Sequence, residues 1–313
     1  MSLTTVLAVH GGAGRLPANK VSYPGRRPYE LALARALRCG QSVLLKGGSA
    51  VRAVTEAVAV LEDEPLLNAG RGAVLCADGS IELCAAVMGG RRQQFGAVAG
   101  LTRTRNPVRA ARELLEHRHG LLFGAAGDAF AEGAGLEMVS PEFFLTPLRQ
   151  GQWKRLHGTS RVELDHSGDE ATHGTVGAVA RDRRGHLAAA TSTGGLVNQL
   201  PGRIGDTPIA GAGTWADGSC AVSATGKGEA FARVAFARRV ADLIGLVGAE
   251  PAEAARRALE EVARFRGQGG CIVVDSAGRL ALPFSSAQML RGWVVGPSRP
   301  KVAILADEEI ETV

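Results

Sequence analysis

The sequence predicts an α+β layered domain, and three observations carry that reading. Strand-like runs come in pairs, helix-like runs come in pairs, and the blocks alternate rather than repeating single βαβ units. The 313 residues are 45% hydrophobic, enough to bury a sizeable core. Glycine is abundant, at 42 residues, and aromatics make up 4%, which suits close backbone packing around a small ligand.

The elements follow in order. "TTVLAVHGGAG" is a buried strand ending in a glycine turn at Gly11–Gly12. Leu31, Leu33, Leu37 and Leu44 recur near helical spacing and predict a helix over 29–45. Ser49 can cap a second over 50–61. "IELCAAVMGG" and "FGAVAGLT" are short strands. Asn106 then serves as N-cap, with Pro107 at the first helical position, for a helix toward Glu116. From about 142 to 174 the pattern dissolves into polar sequence, predicting an exposed flexible linker. Order returns at Thr175. "TVGAVARD" and "HLAAATST" form a hairpin across Arg184-Gly185, followed by the strand "SCAVSATG". Helices over 229–246 and 251–264 come next, then a hairpin around Ser276-Ala277-Gly278.

Composition excludes several function classes. The net charge is +5 and only five of the 36 basic residues are lysines, but no run reaches the five or six like charges of a nucleic-acid arm. No stretch approaches the ~20 apolar residues of a membrane span. Met1-Ser2-Leu3 leads straight into an apolar strand without the features of a signal peptide. Five cysteines (39, 76, 84, 220 and 271), with no C-x-x-C pair and no histidine at metal spacing, fit reduced thiols. A cytoplasmic protein is expected.

The chemistry turns on "EATHGTVGAVARD", Glu170 to Asp182. Read by its residues alone, Thr175 is either a β-former opening a strand or something more specific. A threonine hydroxyl needs a base, and its own α-amine can serve once the residue begins a chain. That amine titrates at about 7.7–8.0, close to where a general base should lie. Such a role requires the Gly174–Thr175 bond to be cut, and a glycine there lets the carbonyl approach the hydroxyl without a Cβ in the way.

Several long motifs, in one order and across most of the chain, sharpen the choice. They are "HGGAG", "LEDEPLLNAGRGAVLCADGSIEL", "NPVRAAR", "HGTVGAVARD", "TSTGG", "GRIGDTPIAGAG", "SATGKGE" and "ALPFSSAQMLRGW". In these motifs the sequence resembles the plant-type L-asparaginase and isoaspartyl peptidase family of N-terminal nucleophile threonine hydrolases.

The resemblance implies a four-layer αββα sandwich built from two fragments, 1–174 and 175–313, of one intertwined domain, assembling as (αβ)2. It implies autocleavage after Gly174, Thr175 as nucleophile, and Thr193 as its hydrogen-bonding partner. Thr225 and Gly226 match the oxyanion site, with Gly228 beside it, and Asn68 matches a residue placed at the active site. Arg203 and Asp206 match the pair that takes the α-carboxylate and α-amine of an aspartyl substrate; by residues alone they also fit a surface ion pair. Gly11 and Gly12 match a close approach of the first strand to the nucleophile, with no G-K-[ST] to make them a phosphate loop. Backbone carbonyls of Leu61, Glu62, Glu64, Leu67, Ala69 and Arg71 match a sodium-binding loop; no organic cofactor is implied. The substrates implied are asparagine and β-aspartyl dipeptides. A glycosylasparaginase-like or protein-cleaving relative, and an uncut binding protein on the same fold, are the alternatives.

The sequence departs from the family pattern at Cys84, Gly89, Lys227 and Ser285. The first two replace polar residues. Lys227 adds a positive charge beside the oxyanion site.

Overall fold

The computed structural model describes residues 3–16, 18–22, 24–159 and 172–306. The first half supplies β1 (Val6–Arg15), α1 (Ala18–Val21), α2 (Arg27–Leu45), α3 (Ala50–Glu62), β2 (Leu83–Gly89), β3 (Gln94–Leu101), α4 (Pro107–Glu113), β4 (Leu121–Phe123), α5 (Gly124–Gly133) and α6 (Pro147–Leu156). The second half supplies β5 (Thr172–His173), β6 (Val176–Arg181), β7 (Leu187–Thr193), β8 (Thr214–Ala216), β9 (Cys220–Gly226), α7 (Gly228–Arg233), α8 (Phe236–Gly245) and α9 (Pro251–Ala263). It closes with β10 (Gly269–Asp275), β11 (Leu280–Ala281), β12 (Gln288–Val295) and β13 (Lys301–Ala303). The α+β class expected from the blocks is the class observed.

Among the described residues the strands form two sheets. The larger runs β13-β12-β1-β6-β7-β2-β3-β4, with β5 beside β1, and the smaller runs β11-β10-β9-β8. The β3–β4 pair is parallel and the other ladders are antiparallel. Both halves of the chain interleave in the larger sheet, since β1 lies between β12 and β6, and β7 lies between β6 and β2.

Strand alternation sorts side chains to opposite faces. Leu7 and Val9 of β1, Val176 and Ala178 of β6, and Val87 of β2 join Leu33, Leu37, Val54 and Val58 from α2 and α3 in one apolar core. The opposite faces carry Val6, Ala8, Val179 and Ala189, which pack with Ala221, Ile272 and Val274 of the smaller sheet. On the far side of that sheet, Val222, Cys271 and Val273 meet Phe236, Val240, Leu259 and Val262 from α8 and α9.

Four local expectations need correction. β1 does not end in a turn at Gly11–Gly12. Its register shifts between His10 and Gly12, leaving Gly11 unpaired, and pairing with β12 resumes at Gly12, whose φ of +107° suits the bulge. The helix expected over 229–246 is two helices. Ala235 adopts φ 47°, and the first turn of α8 donates to other carbonyls, Ala237 N–H to Ala212 and Arg238 N–H to Gly211. Asn106 does not cap α4; its amide donates to Ala59 O and Asp63 Oδ1 instead.

The fourth correction concerns the expected linker. Residues 141–156 are ordered, as a 3-10 turn over Pro141–Phe144 followed by α6. Thr146 caps α6 by accepting from Arg149 N–H, and Phe144 is fully buried. Apolar periodicity is weak there because buried Arg149 and Gln152 anchor the helix instead: the Arg149 Nε–H donates to Gly72 O at 2.7 Å, and its Nη1 to Gln152 Oε1 at 2.9 Å. The part of the expected linker over 160–171 lies outside the described residues.

Candidate active site

Thr175 sits at the mouth of β6, in the middle of the larger sheet, and is 7% exposed. The β6–β7 register pairs Val176 with Ser192 and Gly177 with Thr191. One further step sets Thr175 opposite Thr193, and both side chains then face the smaller sheet, as alternation requires. From that sheet, β9 brings Thr225 and Gly226 to the same end.

Gly174, Thr175, Thr193, Arg203, Asp206, Gly226 and Gly228 line one cavity, joined by Gly195, Leu196, Gly205 and Thr207. Residues separated by more than fifty positions in sequence thus meet in one place. The cavity holds about 20 Å³, room for roughly one water.

Glycines set the tight approaches. A Cβ at Gly12 would lie 2.7 Å from Gly174 O and 2.8 Å from Gly174 N, so β1 passes the Gly174 peptide only as glycine. A Cβ at Gly174 would lie 3.4 Å from Thr225 Oγ1, which puts that hydroxyl beside the Gly174–Thr175 bond. Thr225 Oγ1 also accepts from Ala13 N–H at 3.3 Å. Gly226 has φ +154°, where a side chain would strike Gln268 O. Gly11 is placed differently, packed against Leu67 and Leu290.

Arg203 and Asp206 share a wall of the cavity. A Cβ on Gly228 would lie 2.9 Å from both Arg203 Nη2 and Asp206 Oδ1, so the bare glycine keeps that wall open. Arg203 pairs with Glu229, donating from Nε at 2.9 Å, and its Nη1 reaches Gln199 Oε1 at 3.4 Å. Nη2 lies 2.8 Å from the same Glu229 oxygen but off the hydrogen-bonding direction, so it retains donor capacity. Asp206 is buried, and Oδ2 has no hydrogen-bond partner. Burial pushes its carboxyl up to about 6, with Arg203 acting in the opposite sense. An unpaired acceptor and a spare guanidinium N–H at one wall suit a zwitterion.

Asn68 is buried outside the cavity lining. Its Nδ2 donates to Gly195 O at 2.8 Å, its Oδ1 accepts from Val74 N–H, and its carbonyl accepts from Gly194 N–H. It braces the two residues that follow Thr193, whose own hydroxyl accepts from Gly195 N–H at 3.0 Å. The loop from Leu61 to Arg71 is tightly coiled. The Glu64, Leu67 and Ala69 carbonyls each accept one backbone N–H and keep a second lone pair, the donor chemistry a hard cation takes, while the Leu61 carbonyl accepts from both Asp63 and Glu64 N–H.

Three sets of buried or site-lining polar contacts escaped the sequence reading. Glu229, holding Arg203, lies in the "SATGKGE" motif but is ordinary in type. Glu62, read for its carbonyl, places its carboxyl in the core, where Oε1 accepts from Ser192 Oγ at 2.6 Å and from Val108 N–H at 3.0 Å. His10, Thr191, Thr214 and Ser223 are polar residues at inward positions of apolar strands, and that misplaced polarity was the available signal. Of the departures, Cys84 is buried opposite Thr193, Lys227 occupies the N-cap position of α7, and Ser285 Oγ accepts from Gly269 N–H.

Comparison with known proteins gives the family. The family model described as asparaginase matches residues 3–304. The isoaspartyl peptidase of Salmonella typhimurium is 45% identical over 306 residues, covering 96% of this chain and 98% of that protein. The isoaspartyl peptidase of Escherichia coli is 44% identical over 310 residues, 97% of each chain. A plant-type L-asparaginase of Pyrobaculum calidifontis is 40% identical over 304 residues, 92% of this chain and 96% of its own. With a matching model across nearly the whole chain and relatives of this identity, the chain belongs to the asparaginase family, among the plant-type L-asparaginases and isoaspartyl peptidases.

Proposed function

We propose that this chain is an autoprocessed threonine amidohydrolase that cleaves L-asparagine and β-aspartyl peptides to release L-aspartate. The observation that carries it is the convergence of Gly174-Thr175, Thr193, Gly226 and the Arg203/Asp206 wall at one cavity, with the Thr225 hydroxyl beside Gly174. The names of the relatives supply the substrate class.

In the intact chain Gly174 still forms part of the cavity wall, and the space is water-sized. Maturation starts when the Thr175 hydroxyl attacks the Gly174 carbonyl, and water resolves the resulting ester. The freed α-amine, titrating at about 7.7–8.0, then serves as base. Thr175 Oγ attacks the side-chain carbonyl of the substrate, the Thr225 hydroxyl and Gly226 N–H hold the developing oxyanion, and ammonia or an amine leaves. Water releases aspartate from the acyl-enzyme. Arg203 takes the α-carboxylate and Asp206 the α-amine, so both groups must be free on the aspartyl residue. Thr193 hydrogen-bonds the nucleophile.

The finer architecture proposed is a four-layer αββα sandwich of the N-terminal nucleophile type, formed by fragments 1–174 and 175–313 and paired as (αβ)2. Carbonyls of Leu61, Glu62, Glu64, Leu67, Ala69 and Arg71 would hold a structural sodium ion that stiffens the segment carrying Asn68. No organic cofactor enters the scheme. A cytoplasmic setting accords with cysteines that are all free thiols.

A side-by-side assay of asparagine, a β-aspartyl dipeptide, its α-linked isomer and a glycosylated asparagine tests the reading. Turnover of the first two and rejection of the α-linked isomer is expected. Equal turnover of α- and β-linked peptides would rule out the Arg203/Asp206 clamp, and preference for the glycosylated substrate would favour a glycosylasparaginase.

A further inference from the structure

The Arg203 guanidinium has a second polar neighbour besides Glu229, and that neighbour carries no charge. Gln199 is buried and bonds to two residues that line the cavity, Leu196 and Arg203. Its Oε1 accepts from Leu196 N–H at 2.8 Å and from Arg203 Nη1 at 3.4 Å, and its Nε2 lies 3.7 Å from Cys76 Sγ. The amide fits only this way round. A backbone N–H and a guanidinium are donors without lone pairs, so the oxygen must meet them and the nitrogen is left for the sulfur.

Bare glycines make the room. Gly195 has φ +83°, and a Cβ there would lie 2.3 Å from Gln199 Oε1. One on Gly205 would lie 3.0 Å from Arg203 Nη1. The backbone fixes Gln199 itself, since its carbonyl accepts from Ala77 N–H at 2.8 Å and its N–H donates to Leu196 O at 3.2 Å. Leu196 in turn follows Gly195, whose N–H donates to Thr193 Oγ1. One buried amide thus joins the turn after Thr193 to the guanidinium.

We infer that Gln199 is a positioning residue: it fixes the Arg203 guanidinium against the Gly195–Leu196 turn and, being neutral, leaves intact the positive charge that recognises the α-carboxylate of the substrate. The inference rests on the reading of Arg203 as the carboxylate half of the clamp. Charge decides its second half. Glu229 already gives Arg203 one carboxylate, with Nε donating to it at 2.9 Å. A carboxylate at position 199 would accept the same two hydrogen bonds, but it would repel an anionic ligand approaching the guanidinium. An aliphatic side chain would remove the acceptor and return rotamer freedom to the long arginine. Only a neutral acceptor supplies position without neutralisation.

The test uses the full-length protein as wild type, Gln199→Glu, Gln199→Met and Arg203→Ala, assayed on a β-aspartyl dipeptide. The cleaved fraction is measured by mass so that rates refer to mature enzyme. Two competing ligands separate the halves of the clamp: succinate is aspartate without its α-amine, and β-alanine is aspartate without its α-carboxylate. Gln199→Glu should raise KM and the succinate Ki by about fivefold or more, with kcat and the β-alanine Ki within about twofold of wild type. Gln199→Met should raise the same two constants by about tenfold or more, as expected when a hydrogen bond to a charged group is lost. Succinate binding like that of wild type in either variant, or equal losses of succinate and β-alanine, would overturn the inference. Gln199→Glu keeps the acceptor for both donors, so it decides alone if Gln199→Met does not fold or is not cleaved. Arg203→Ala separates this inference from the reading beneath it. Succinate binding that survives Arg203→Ala would sink the clamp, whereas binding lost there but unchanged in Gln199→Glu would sink the role of Gln199 alone.

Discussion

At Glu62 a carboxylic acid is fully enclosed at the end of α3, and its pKa is pushed up to about 8, chiefly by burial. Oε1 has two donors and Oε2 has no partner. Because the folded pKa lies above the unfolded value near 4.5, the group favours folding most below that value, and this contribution is lost as pH rises through about 8. Glu62→Gln cannot ionise, so its melting temperature relative to wild type should increase from pH 5 to pH 9. A difference that stays constant across that range would show that the fold does not raise the Glu62 pKa. Asp206 follows the same logic with a functional readout. In the proposed clamp its carboxyl, raised to about 6 by burial, must ionise to take a substrate ammonium. KM should therefore rise as pH falls below about 6, while kcat climbs through roughly 7 to 8 with the Thr175 amine. A kcat flat across neutrality would point to a carboxylate base instead. Removing one member of a buried charge pair costs about 3–5 kcal/mol. Arg203→Ala should then lower kcat/KM by roughly two orders of magnitude or more, measured by steady-state kinetics.

At the scale of elements, the site is built where strands end. Thr175 opens β6, Thr193 closes β7, and Thr225 comes one residue before the end of β9. These strands were legible because their period-2 patterns are long, and because Gly174-Thr175 breaks a polar run. The roles proposed for Thr175, Thr193 and Thr225 came from the family resemblance of their motifs, since each by itself reads as an ordinary strand threonine. The rest was hidden by non-local partners. β1 runs through its glycines because β12 continues to pair with it, and the helix over 229–246 breaks because carbonyls at 211 and 212 start α8. α6 lacks an apolar stripe because a buried arginine anchors it to Gly72. No local pattern encodes such contacts. The bulge in β1 carries its own prediction. Gly12→Ala adds a Cβ 2.7 Å from Gly174 O in a conformation that disfavours side chains, and should therefore stop or greatly slow cleavage in a chain that still folds. Gel analysis over time checks this, and wild-type cleavage kinetics would contradict it.

For the whole molecule, the interleaving of both halves in one sheet explains how a cut beside β6 can leave the fold standing. β1 and β2 from the first half pair directly with β6, β7 and β12 from the second, and a shared apolar core lies against each face of that sheet. In the proposed mature protein, hydrophobic burial across those ladders would hold the fragments together, with the new N-terminus in the cavity it helped to line. The chain as a single polypeptide is in this account a precursor. Mass analysis of the purified protein, incubated at neutral pH and shown to be folded, tests that most directly. Two species are expected, residues 1–174 and 175–313, the second beginning with Thr175 bearing a free amine, and one uncut species for Thr175→Ala. A wild-type protein that remains a single intact chain would contradict it.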